Sequence, residues 1–135
     1  TVLVLGMGRT GSAAYDFFHD KGLEVAGIDS DPNKTDSQRR VFYGDIEDVG
    51  FWHHLDLNGL TAVTLATPEM ESKLIASREL RKAGFTGQLI AGIHYQDEAE
   101  PLRDAGVDQT YLLMTGAGIG IAEKTWEKLH GDASR

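Results

Sequence analysis

Thr1-Val2-Leu3-Val4-Leu5-Gly6-Met7-Gly8-Arg9-Thr10-Gly11 opens the chain and decides how the rest is read. The apolar, β-branched run that halts at Gly6 reads as a strand buried on both faces. The segment it leads into, residues 10–21, places Ala13, Ala14, Phe17 and Phe18 at helical spacing and stops at Gly22. Gly6, Gly8 and Gly11 therefore form Gly-x-Gly-x-x-Gly between a strand and a helix, the context in which that pattern has a mechanism. Gly6 permits the tight turn, Gly8 lets a pyrophosphate approach the backbone, and Gly11 lets the helix pack close to the strand. The helix N-terminus then offers N–H groups and a partial positive charge to a phosphate. Arg9 is a candidate second contact to that phosphate. Asp29 stands 18 residues after Gly11 at the end of the next apolar run, where its carboxylate can bond both ribose hydroxyls. The same charge repels a 2′-phosphate and no Arg follows within two residues, which disfavours NADP(H).

Working outward, apolar runs alternate with helix-like segments to the end of the chain. Strands are predicted over residues 23–28, 41–43, 60–66, 88–93 and 108–113. Helices are predicted over 46–57, 69–83, 97–105 and 120–129, with Gly84 and Gly106 ending two of them. Asp29-Ser30-Asp31-Pro32 and Thr67-Pro68 are turn chemistry. Strand and helix repeated this regularly imply an α/β, Rossmann-like, doubly wound six-stranded parallel sheet with helices on both faces. No linker divides it, so residues 1–135 read as one domain, excised from something longer because the first strand begins at Thr1. Gly116-Ala117-Gly118-Ile119-Gly120 reads as a close-packed entry to the last helix. Trp126 and Leu129 form an apolar ridge on that helix, either core or a subunit contact.

Composition narrows the function. The chain has 135 residues, 41% of them hydrophobic, enough for a real core and for one domain. A net charge of −8 argues against nucleic acid and against an anionic membrane surface. No stretch is long and apolar enough to span a bilayer, so no direct membrane insertion is expected. Cysteine is absent, which removes disulfides, thiol catalysis and Cys-based metal sites. His53 and His54 are adjacent and diverge by about 100° on a helix, so they make no metal pair. His19 and His94 have no partner nearby in sequence. No nucleophile, base and orienter assemble, so neither a catalytic nor a metal site is expected. Sixteen glycines exceed the usual share of about 7%.

Several short motifs then fall in order: Val4-Leu5-Gly6-Met7-Gly8-Arg9-Thr10-Gly11, Asp29-Ser30-Asp31-Pro32, Tyr43-Gly44-Asp45, Leu65-Ala66-Thr67-Pro68 and Ala105-Gly106-Val107-Asp108. Together they resemble the regulator-of-potassium-conductance (RCK) nucleotide-binding domain, also called the KTN or TrkA-N domain, over essentially the whole chain. Within it they look most like the cytoplasmic domains of Kef-type potassium/proton antiporters. The resemblance implies an adenine nucleotide, AMP or NAD(H), with Gly6, Gly8 and Gly11 at the phosphates and Met7, Arg9, Thr10 and Ser30 also among the residues that bind it. It implies Asp29 at the ribose, Asp45 with Ile46 beside it at the adenine edge, and Thr67 at the phosphate or second ribose. It also implies a regulatory, non-enzymatic homodimer in the cytoplasm, gating a potassium transporter of the inner or plasma membrane that lies in the same chain or in a partner. The last helix is a plausible dimer contact. Alternative readings are a peripheral subunit of a Trk-type uptake system and the NAD-binding half of a dehydrogenase, although six strands leave no residues for a catalytic half. Two features depart from the family pattern. Gly92 stands where an Arg often ends strand five, and the 31–41 stretch is shorter than the usual second helix.

Overall fold

A computed structural model describes residues 1–35 and 38–131 of the chain. Six strands form one all-parallel sheet: β1 (Val2–Leu5), β2 (Val25–Asp29), β3 (Val41–Tyr43), β4 (Ala62–Leu65), β5 (Gln88–Ile93) and β6 (Gln109–Leu112). Their spatial order is β3-β2-β1-β4-β5-β6, so the direction of winding reverses between β1 and β4. The helices are α1 (Arg9–Asp20), α2 (Val49–His54), α3 (Met70–Lys82), α4 (Ala99–Asp104) and α5 (Leu113–His130). Short 3₁₀ turns occupy Pro32–Lys34 and Gln96–Glu98. The expected doubly wound α/β sheet is therefore the fold.

Alternation along β1 sends its side chains into two cores. Leu3 and Leu5 join Ile28, Leu65, Leu80 and Leu102 under α2, α3 and α4, whereas Val4 joins Met7, Tyr15, Val25 and Val41 under α1. On the α1 side Arg39 makes a two-pronged bond to Asp16 (2.9 and 2.8 Å), and the Arg40 N–H donates to the Tyr15 hydroxyl at 2.6 Å. These contacts pin the entry of β3 to α1.

β4 is trimmed to Ala62–Leu65 from the predicted 60–66, and four other differences from expectation have a local reason. β2 starts at Val25 because the turn closing α1 occupies Leu23, whose N–H donates to the Phe18 carbonyl. The helix predicted over 46–57 shrinks to α2. Asp45 and Asp48 each accept an N–H two residues on (Glu47 at 3.0 Å, Gly50 at 2.9 Å), and these turns consume the chain before a helix can start. The helix predicted over 97–105 splits into a 3₁₀ turn and α4. The last helix begins at Leu113, directly after β6, so Gly116, Gly118 and Gly120 lie inside α5 and form no entry turn. The shortened 31–41 stretch contains the 3₁₀ turn Pro32–Lys34, and residues 36 and 37 of it lie outside the described residues.

α5 is unlike the other helices. Among the described residues none of its side chains is buried; Trp126 and Leu129 are 64% and 72% exposed. The core reading of that ridge is thus corrected. No helix among the described residues is long and apolar enough to cross a membrane.

Candidate functional site

Strand register gathers the predicted residues at one sheet edge. Leu5 lies opposite both Ile28 and Leu65, so β1, β2 and β4 end level. The Gly6 N–H donates to the Ile28 carbonyl (2.9 Å) and the Ala66 N–H to the Leu5 carbonyl (2.8 Å), which sets Gly6, Asp29 and Thr67 side by side. The Gly44 N–H donates to the Asp29 carbonyl at 3.0 Å and brings Asp45 to the same edge. This is the carboxyl end of the strands at the point where the winding reverses, where open α/β sheets hold their ligands.

The three glycines differ in what surrounds them. Gly6 has φ +91°, and a Cβ there would lie 2.7 Å from the Thr67 nitrogen. A Cβ on Gly11 would strike the Gly6 carbonyl oxygen, so only a glycine lets α1 approach β1 this closely. Gly8 caps α1 and faces open space, leaving its backbone approachable. The Ser12 N–H closes the first helical bond, to the Gly8 carbonyl at 2.9 Å. The N–H groups of Arg9, Thr10 and Gly11 therefore precede any intrahelical acceptor.

Asp29 braces this loop from β2. One of its carboxylate oxygens accepts the Met7 N–H at 2.7 Å, the other the Asp31 N–H at 2.8 Å. Each oxygen keeps a second lone-pair direction for another donor. Met7 accordingly spends its N–H within the loop. Its side chain is buried against Gly27, where a Cβ would lie 2.6 Å from the sulfur.

Two adjoining cavities run along the edge and share Gly6, Asp29, Ser30, Thr67 and Glu69. The smaller, about 160 Å³, is completed by Ile28, Gly44, Asp45, Ile46, Glu47 and Ser72. The larger, about 440 Å³, includes Gly8, Arg9, Thr10, Lys34, Pro68 and His94. Gly6, Gly8, Arg9, Thr10, Asp29, Ser30, Asp45, Ile46 and Thr67 thus line one crevice, while Met7 and Gly11 lie beneath it. Its two ends differ in chemistry. The smaller end presents hydrogen-bond acceptors, the carboxylates of Asp45 and Glu47, while Glu69 belongs to both. The larger brings Arg9, Lys34 and His94 beside the start of α1.

Sequence reading missed Lys34, Glu47, Glu69, Ser72 and His94. The signal for Glu69 is its place in the turn after β4, the same topological position that marks Thr67, and Ser72 follows in the first turn of α3. Thr67 donates its hydroxyl to Glu69 at 2.8 Å, and Ser72 donates to Glu47 at 2.8 Å across the smaller cavity. No sequence signal marks Glu47 or Lys34. Gly92 lines the larger cavity without a side chain, and Leu113 packs over it, 3.1 Å from where a Cβ would stand. Among the described residues, no group of three or more His, Asp or Glu could hold a metal ion.

The model of the TrkA-N domain matches residues 2–112. Among solved structures, the chain is similar to the TrkA-N domain of the inner membrane protein ybaL from Escherichia coli. The two share 18% identity over 90% of this chain and 93% of that one, with a TM-score of 0.79. The NAD(P)-binding domain of an exopolyphosphatase-related protein from Archaeoglobus fulgidus superposes with a TM-score of 0.83, at 21% identity over 93% and 97% of the two chains. The Kef CTD of Shewanella denitrificans, in AMP-bound form, gives 0.78 at 16% identity over 95% and 80%. At these identities the likeness establishes the fold. No curated protein sequence matches the chain.

Proposed function

The chain belongs to the TrkA-N domain family, and from that premise we propose that it is a regulatory module which binds an adenine nucleotide, AMP or NAD(H), and gates potassium efflux by a potassium/proton antiporter. The observation that carries the reading is the crevice itself. The glycine turn at Gly6 and Gly8, the Asp29 carboxylate and a second carboxylate, Asp45, just after β3, line two adjoining cavities at the switch point of the sheet.

The two ends of the crevice suit the two ends of such a ligand. The adenine edge lies on Ile46 with its exocyclic amine donating to Asp45. The ribose hydroxyls donate to Asp29 beside Ser30. The phosphate takes the free N–H groups of Arg9 and Thr10 over Gly8, with the Arg9 guanidinium adding charge, and Thr67 meets the phosphate or a second ribose. AMP is supported by the AMP-bound Kef CTD with the same fold. NAD(H) is supported by the Archaeoglobus fulgidus NAD(P)-binding domain. The module acts from the cytoplasmic side on a membrane transporter in the same polypeptide or a partner.

A ligand gates only through its differential affinity for two arrangements of the protein. Coupling of this kind is worth about 1–3 kcal/mol, or roughly 5–150-fold. A homodimer supplies two such arrangements, and α5 is the element to form it. Met114, Ile119, Ile121, Trp126 and Leu129 are all exposed along its length.

Potassium efflux from vesicles containing the whole transport protein tests the proposal. AMP or NAD(H) on the cytoplasmic face is expected to change the efflux rate at least fivefold. In Asp29→Ala the basal rate should persist and the nucleotide response disappear. A response that survives the substitution, or no response in the unmodified protein, contradicts the proposal.

A further inference from the structure

Lys73 is completely buried, the largest fully buried side chain among the described residues, yet it carries an ammonium group. It lines neither cavity. Its Nζ donates to the Gly92 carbonyl and to one Glu98 carboxylate oxygen, each at 3.0 Å. The other Glu98 oxygen accepts the N–H groups of His94 and Tyr95, each at 2.8 Å. One cation on α3 thus holds the beginning, the middle and the end of the segment by which the chain leaves β5. Burial pushes the Glu98 carboxyl up, but the Tyr95 N–H, the Lys73 ammonium and the His94 N–H together hold it below the ordinary carboxylate range.

Stability alone does not call for such a pair, because apolar residues of similar volume often serve as well or better. What hydrocarbon cannot do is fix one carbonyl and two backbone N–H groups at set positions. Those groups belong to Gly92, His94 and Tyr95, and Gly92 and His94 form a wall of the larger cavity. The residue before Lys73 reaches the opposite way, since Ser72 ties Glu47 at the smaller cavity. The first turns of α3 therefore fasten both ends of the crevice.

We infer that Lys73 is a positioning residue, which through Gly92 and Glu98 holds the exit of β5 as the wall of the phosphate end of the crevice. The inference rests on the nucleotide reading proposed above. It makes the Lys73–Glu98 pair a determinant of phosphate recognition that touches no phosphate.

Lys73→Met combined with Glu98→Gln removes both charges at nearly constant volume and leaves an oxygen at position 98 to accept one N–H. We expect the double variant to stay folded by circular dichroism. Amide exchange at His94 and Tyr95 should speed at least tenfold. AMP affinity should fall about tenfold in calorimetric titration, while adenosine, followed by competition, should stay within twofold. Unchanged AMP affinity, or equal losses for AMP and adenosine, overturns the inference and leaves the nucleotide reading standing. An unmodified chain that binds neither of these nor NAD(H) defeats that reading and the inference with it. In one that binds NAD(H) alone, the double variant should lose about tenfold in NAD⁺ affinity, and an unchanged affinity overturns the inference. If the double variant does not fold, Glu98→Gln alone carries the same comparison of AMP with adenosine, with the same selective loss expected.

Discussion

Gly11→Ala should lower the melting temperature by about 10 °C and remove nucleotide binding. The added Cβ falls on the Gly6 carbonyl oxygen, and Gly11 is buried between α1 and β1. A flexible side chain in that place could turn aside, but a backbone carbonyl moves only with its strand. Either α1 lifts from the sheet or the phosphate turn opens. Overpacking of a well-filled interior costs about 1–3 kcal/mol, and an obstacle made of backbone belongs at the upper end. At roughly 3–5 °C per kcal/mol for a chain of this size, about 3 kcal/mol corresponds to the stated shift. Gly8→Ala is the control, because the space around Gly8 is open. It should leave the melting temperature nearly unchanged while obstructing the phosphate. Thermal unfolding followed by circular dichroism separates the two. A Gly11→Ala chain melting within 2 °C (roughly half a kcal/mol) of the unmodified one contradicts the packing argument.

Asp29→Ala should weaken AMP about 30- to 100-fold. The carboxylate holds two backbone N–H groups, those of Met7 and Asp31, so its loss loosens the phosphate turn as well as the ribose contact. Hydrogen bonds to a charged group are worth about 1.5–3 kcal/mol each, and a buried N–H left without a partner costs about 1–3 kcal/mol. Part of that cost is spread over the free chain and lowers its stability too. The remainder, about 2.0–2.7 kcal/mol of binding, gives the stated factor. Asp29→Asn keeps an oxygen for one of the N–H groups and should fall between the two in both affinity and melting temperature. Calorimetric titration of the three proteins checks the order. Equal affinity for AMP in all three would remove Asp29 from the ribose.

Much of the fold was legible because two periodicities are written plainly. The runs at residues 1–5 and 88–93 have no plausible reading but a buried strand, and the glycine turn fixes how the first of them continues. The site was legible where a backbone demand selects one residue type. Gly6 and Gly11 are such positions, and Asp29 follows from its place at the end of the second apolar run, 18 residues after Gly11. Boundaries were less legible where side chains bond their own backbone. Asp45 and Asp48 shorten α2 in this way, and no count of apolar residues shows it. The start of α5 was missed because three glycines at 116, 118 and 120 argue against a helix that begins directly at the end of β6. Glu47 and Lys34 join the crevice through loops whose course depends on tertiary packing. Lys73 was invisible for a different reason: a lysine on a helix reads as a solvated charge, and only the arrangement of β5, Glu98 and α3 buries it.

Thermal unfolding of the unmodified chain against a panel of AMP, ADP, ATP, NAD⁺, NADH and NADP⁺ tests the central claim most directly. A ligand at 100 times its dissociation constant stabilises by about 2.7 kcal/mol, which is several degrees for a domain of this size. AMP or one form of NAD(H) is expected to raise the transition by that amount, and NADP⁺ to raise it least, because Asp29 repels its 2′-phosphate. A panel in which no adenine nucleotide moves the transition would contradict the account.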